Sequence, residues 1–249
     1  MANLLEICVD SLASARAAIA GGADRLELCS ALAVGGLTPY TALLRQIREE
    51  SDLPIRCLIR PRPGDFLYTP DELELLRRQI LELREAGADG FVIGCLTFEG
   101  KLDKAAMASL VDACGGLGTT LHRCIDVSAD LERTYRDAMD LGIDTVLTSG
   151  GKASCMEGRE AIARLISLRD AIHGPEVLIG AGVNAAVIAR FREEIPGVRA
   201  FHMSGKTEAE SGMRFRREGI PMGLPGLDEW HIQQTDPERV RAARAALDK

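Results

Sequence analysis

The sequence is short of aromatic residues, which make up 4% of its 249 positions, and it carries one tryptophan and four histidines. No Cys-x-x-Cys occurs among its seven cysteines, at 8, 29, 57, 95, 114, 124 and 155, which removes zinc-ribbon and thioredoxin-type motifs. An odd number of cysteines in an acidic chain of this size points to free, mostly buried thiols in a reducing compartment. Basic charge is not in excess either: 30 Lys and Arg against 37 Asp and Glu leave a net charge of −7 and a pI near 5.3. That balance argues against a nucleic-acid-binding face. No apolar run approaches the roughly 20 residues of a membrane span, and no basic stretch with an apolar core opens the chain. The expectation is a cytoplasmic protein with neither nucleic acid nor membrane as a partner.

What the sequence does contain is a near-duplicate. Leu5-Glu6-Ile7-Cys8 recurs 21 residues later as Leu26-Glu27-Leu28-Cys29. Each copy alternates apolar positions with Glu and Cys, the period of a strand. The Ala-rich stretch from Ser11 to Ala20 lies between them, with a serine cap at its start and Gly21-Gly22 at its end, the signature of a helix. Strand, crossover helix and strand make the copies parallel and adjacent. Paired side by side, they would bring two carboxylates and two sulfurs to about one strand spacing, roughly 5 Å.

The unit then repeats. Further strands are expected near residues 54–62, 90–96, 119–126, 145–149, 176–181 and 200–204, with helices between them, one of them begun by Thr38 as cap and Pro39 at the first helical position. Hydrophobic residues form 46% of the chain, enough for a large core, and no linker breaks it. Eight units favour a single (β/α)₈ TIM barrel over residues 1–249 rather than an open doubly wound sheet. A Gly- and Pro-rich loop at about 205–234 and a closing helix at about 236–248 are appended. Loops of such length are usually functional or mobile.

In a parallel barrel the active site gathers at the carboxyl ends of the strands. Period-2 counting turns Glu6, Cys8, Glu27, Cys29, Arg60, Arg62, His122, Asp126, Ser149, His202 and Ser204 inward there. So many polar groups must pair with one another or bind something. Three constellations follow. The Gly180-Ala181-Gly182 loop and Ser204, with Ser149, Arg60 and Arg62, suit a phosphate or carboxylate, though glycines also simply make turns. His122 among Glu6, Glu27 and Asp126 suits acid–base catalysis, or a satisfied buried network. Cys8 and Cys29 suit a soft ion such as Cu(I), or plain core packing, which is how the other five cysteines read.

The same residues also carry a resemblance. Leu5–Ser11, Gly21–Ser30, Gly35–Pro39, Ile59–Tyr68, Leu121–Asp126, Val146–Gly150 and Ser211–Arg216 resemble the CutC copper homeostasis family, from residue 5 to about 217. Two departures are small: His122-Arg123-Cys124-Ile125-Asp126 stands where the family usually has His-Arg-Ala-Phe-Asp, and Pro63 replaces a glycine. The resemblance implies a (β/α)₈ barrel, a cytoplasmic location, a homo-oligomer, and Cu(I) bound by Cys8 and Cys29 in the service of copper tolerance. The mouth's arginines, His122 and glycine loop fit less readily with a copper carrier. They keep open an alternative, a barrel enzyme acting on a small phosphorylated or carboxylated metabolite.

Overall fold

The strands form where apolar residues alternate, and most helices start at a residue whose side chain caps them, those after Tyr40 and Gly158 being the exceptions. Ser11 accepts from the Ser14 N–H at the head of α1 (Leu12–Ala20). Thr69 and Glu72 make a reciprocal capping box, with Pro70 at the first position of α3 (Pro70–Glu85). Asp103, Asp130 and Asn184 cap α4 (Lys104–Ala113), α5 (Leu131–Asp140) and α7 (Ala185–Glu194). The two remaining crossover helices are α2 (Thr41–Arg48) and α6 (Arg159–Ile172). The structure, a computed structural model, describes residues 3–249 apart from 221, 225 and 227.

Eight parallel strands alternate with these seven helices. They are β1 (Leu4–Val9), β2 (Arg25–Leu28), β3 (Ile55–Leu58), β4 (Gly90–Ile93), β5 (Gly118–Leu121), β6 (Thr145–Thr148), β7 (Glu176–Ile179) and β8 (Ala200–Met203). They close in sequence order, β8 returning to β1, as the (β/α)₈ barrel read from the sequence. Leu5, Ile7 and Val9 face outward into one large apolar layer between barrel and helices. Each fully buried Leu or Ile there contributes about 1.5–3 kcal/mol. The barrel interior is different. Arg56 reaches across it to the hydroxyls of Thr120 and Thr145, at 2.6 and 3.1 Å, and pairs with Asp144 at 2.8 Å. Gly118 leaves the room, since a Cβ there would sit 2.6 Å from the guanidinium.

Local details depart from the expectations. Helix α2 begins after Tyr40, not at Thr38, because the Thr38 hydroxyl accepts from the Arg60 backbone N–H at 2.9 Å. A residue before proline also avoids helical backbone. Strand β5 stops at Leu121: His122 Nδ1 accepts from the Cys124 N–H at 3.2 Å and caps a 3₁₀ turn over Arg123–Val127. Asp126 is therefore on that turn, and the period-2 count fails for it. The loop expected over 205–234 contains an antiparallel pair, β9 (Lys206–Glu210) and β10 (His231–Thr235), before α8 (Pro237–Leu247).

The duplicated strands are also staggered. Glu6 lies opposite Arg25, and it is Cys8 that lies opposite Glu27. Closing a barrel tilts its strands and shears their register, so repeats in sequence do not meet as repeats in space. The expected side-by-side pairs of carboxylates and sulfurs are replaced by mixed ones.

Candidate functional site

The register that closes the barrel builds the site. Opposite Glu6 stand Arg25 on one side and His202 on the other. Glu6 is fully buried. Arg25 Nε donates to its Oε2 at 2.5 Å, and His202 Nδ1 lies 2.8 Å from its Oε1. Burial alone would raise this carboxyl, but Arg25 and His202 bring it down to about 2. An ionised carboxylate only accepts, so Nδ1 carries the proton between them. The imidazole is thereby oriented, and its Nε2 faces Glu27, whose Oε2 is 3.8 Å away.

Cys8, Glu27 and His202 each offer one ligand atom, and these three atoms lie within 4.8 Å of one another. Burial would drive the His202 imidazole to lose its proton, yet Cys8, Glu27 and the bond to Glu6 hold its pKa well above the ordinary value. Thiol, carboxylate and a carboxylate-braced imidazole are three donors that could hold a metal ion, with Glu6 as the outer partner that fixes ring and tautomer. All three line a cavity of about 350 Å³ that also meets Arg60, Phe66, His122, Gly182, Ser204 and Lys206.

A model of the CutC family matches residues 3–207, which hold every one of these side chains. The chain belongs to the CutC family. A CutC family protein from Xanthomonas campestris is 46% identical over 238 residues, 96% of each chain. The human protein named copper homeostasis protein cutC homolog is 39% identical, over 97% of this chain and 88% of its own. The crystal structure of a copper homeostasis protein CutC from Streptococcus agalactiae superposes with a TM-score of 0.75 at 28% identity, covering 81% of this chain and 98% of that one. The family match ends inside β9, so most of the hairpin excursion and all of α8 lie beyond it.

This CutC-family barrel does not gather all the residues singled out by sequence. Cys29 is fully buried beside Cys8 but outside the set of three donors; its thiol donates to Glu27 Oε2 at 3.4 Å. Burial, then Glu27 and Cys8, push that thiol well above its usual range. Burial likewise raises the Glu27 carboxyl. Arg62 has left the mouth: it pairs with Glu72 at 2.5 Å and Asp65 at 3.0 Å on the rim loop. Asp126 and Ser149 hold that rim together. Asp126 accepts from the Thr148 hydroxyl and from the N–H groups of Ser149 and Gly151, and pairs with Arg123 at 2.7 Å. Neither lines the cavity. Gly182 and Ser204 do, but the Ala186 and Val187 N–H groups at the head of α7 already donate to the Asn184 side chain.

His202 is the candidate donor that sequence reading left out of its metal site. It was visible at the end of the eighth strand, but its neighbours Glu6 and Cys8 are almost 200 residues away, |i−j| = 196 for Glu6. Only closure joins them.

His122 sits in the same cavity with 4% of its surface exposed, its ring 4.8 Å from that of Phe66. Burial and the nearby Arg60 lower its pKa from 6.5 to about 3. It is thus a neutral imidazole, a hydrogen-bond donor more than a proton acceptor. Because the unfolded chain binds this proton near 6.5 and the folded chain does not, stability is intact above that pH and falls below it. Going from pH 7 to pH 5 is expected to remove about 2 kcal/mol through this residue. Urea titrations at both pH values check this: a His122→Gln variant should lose less than the wild type by that amount, and equal losses would refute it.

Proposed function

We propose that this chain takes Cu(I) as its cargo through Cys8 Sγ and His202 Nε2, with the Glu27 carboxylate as third donor. The observation that carries the reading is the convergence of these three ligand atoms within 4.8 Å at the wall of an open cavity. A thiolate and an imidazole are donors that suit Cu(I), which needs few ligands. Membership of a family with a relative named for copper homeostasis supports the metal and a role in copper tolerance. In this reading Cys29 stands behind Glu27 as its hydrogen-bond partner rather than as the second sulfur ligand.

The test is anaerobic titration with Cu(I) against a chromophoric chelator. Wild type is expected to take up a single Cu(I) that Cys8→Ser cannot hold, while Cys29→Ser keeps most of the affinity. Equal binding by wild type and Cys8→Ser would sink the proposal. The reverse order, with Cys29→Ser the more damaged, would restore the two-sulfur site.

No helix is long and apolar enough to cross a membrane among the described residues. We place the protein in the cytoplasm on its unpaired thiols: the seven cysteines are all buried and free. We also infer a homo-oligomer, because Met213, Phe215 and Ile232 stay exposed on the excursion after β8, apolar surface that a second copy can cover. Light scattering that returns the 26.9 kDa of one chain would remove that last statement.

A further inference from the structure

Across the cavity from β8, β1 and β2, the wall built beyond β3 and β5 carries hydrogen-bond donors that have nothing to bind. Arg60 is only 8% exposed, and among the described residues no carboxylate lies within ion-pair distance of it. Its Nη1 donates to the carbonyls of Val34 and Gly36, both at 3.2 Å, and its Nη2 to that of Gly64 at 2.9 Å. Those bonds tie two rim loops together but leave Nε–H without a partner among the described residues. Nη2 has a second N–H uncommitted. On a planar guanidinium these two groups share an edge, the fork that receives two oxygens side by side.

His122 repeats the pattern. Its Nδ1 is occupied by the Cys124 N–H, so the neutral ring carries its proton on Nε2, and that atom is buried without an acceptor. Phe66 touches both groups, with the Arg60 Cζ 5.1 Å from its ring centroid and the His122 ring at 4.8 Å. Lys206, also in the cavity wall, has no carboxylate partner among the described residues. Buried polar groups in folded proteins are nearly always paired. Here two unpaired ones, both donors, line one cavity and point to an acceptor that comes from outside.

We infer that the cavity holds a carboxylate-bearing small molecule, its two oxygens shared between the fork of Arg60 and the Nε2–H of His122. A carboxylate matches the donors better than a phosphate does. Two oxygens suffice for one fork and one imidazole N–H, and the second charge of a phosphate would face Glu27 in the same cavity. The rest of the molecule extends toward Cys8, Glu27 and His202, which gives the mouth an organic occupant besides any metal. Arg60 and His122 are not among the metal donors, so this inference stands apart from the Cu(I) reading.

Pyruvate, lactate and inorganic phosphate serve as probes, added to the full chain and followed by calorimetry. Pyruvate or lactate is expected to bind saturably, phosphate more weakly than either. Arg60→Met should lose at least about tenfold in affinity, since hydrogen bonds to a charged group are the strong ones. Arg62→Met, which removes a cation of the rim outside the cavity, should bind the acid as the wild type does. If Arg60→Met does not fold, spectra of ¹⁵N-histidine-labelled wild type decide instead. The His122 signal is identified by its absence from His122→Gln, and its Nε2–H resonance should move as the acid is added. Unchanged affinity in Arg60→Met, an unmoved His122 signal, phosphate binding more tightly, or no saturation by either acid at millimolar concentrations would each overturn the inference. A loss in Arg62→Met as large as that in Arg60→Met would mean that rim charge in general holds the anion, and would overturn it too.

Discussion

A Glu6→Leu variant unfolds at much lower denaturant than the wild type, with a loss of about 3–5 kcal/mol expected. Glu6 is the hub of the barrel interior, fully buried and bonded on one side to Arg25 and on the other to His202. Removing it leaves the Arg25 guanidinium, 9% exposed and already with an unpartnered Nη2, as a buried charge without its counter-ion. Arg56 close by adds repulsion of like sign, since both cations act on this carboxylate. Replacing both members of such a pair by apolar groups is often close to neutral. Glu6→Leu with Arg25→Met should therefore recover a large part of the loss. Urea unfolding of the two variants measures this; a single variant within about 1 kcal/mol of wild type, the net worth of one ordinary hydrogen bond, would show that Glu6 is dispensable.

If the proposed site holds Cu(I), affinity is expected to fall in two unequal steps when the histidine and its brace are altered. His202→Gln removes a proposed ligand, and Glu6→Gln leaves every ligand in place. An amide at position 6 still fills the space, but with its one oxygen accepting from Arg25 it turns its NH2 toward Nδ1, so the proton is no longer held there and Nε2 is not reserved for a metal. Outer partners of this kind are typically worth 10–100-fold in metal affinity, so Glu6→Gln is expected to lose roughly that much. His202→Gln should lose more. Chelator competition with Cu(I) ranks the three proteins. A Glu6→Gln protein with wild-type affinity would mean that the imidazole is not oriented through Glu6, and a harmless His202→Gln would return the site to the two cysteines.

How much of this was legible beforehand can be traced through particular residues. The strand-like alternation around Glu6 and Glu27, the serine and aspartate caps, and the regular spacing of units led to the barrel, because each is a local property carried by a few neighbouring side chains. Family resemblance followed from the same motifs. At the site the reading was partial. Cys8, Glu27, Gly182, Ser204, Arg60 and His122 do share one cavity. Arg62, Asp126 and Ser149 do not: an arginine at the rim was free to turn to Glu72, and the strand carrying Asp126 was cut short by the ring of His122. Cys29 was paired with Cys8 by analogy between two copies, and the stagger of β1 against β2 put Glu27 in that place.

The amino-acid order by itself determined the alternation of strands and helices, most of their caps, the outward apolar layer and most of the groups that face inward, Arg62 and Asp126 excepted. The tertiary structure alone decided which inward groups meet. Register shear set Cys8 against Glu27, and closure of β8 on β1 brought His202 to Glu6 across the length of the chain. The reason is physical: backbone preference and hydrophobic period act over a handful of residues, whereas ligand geometry depends on tilt and closure, which only the assembled ring possesses.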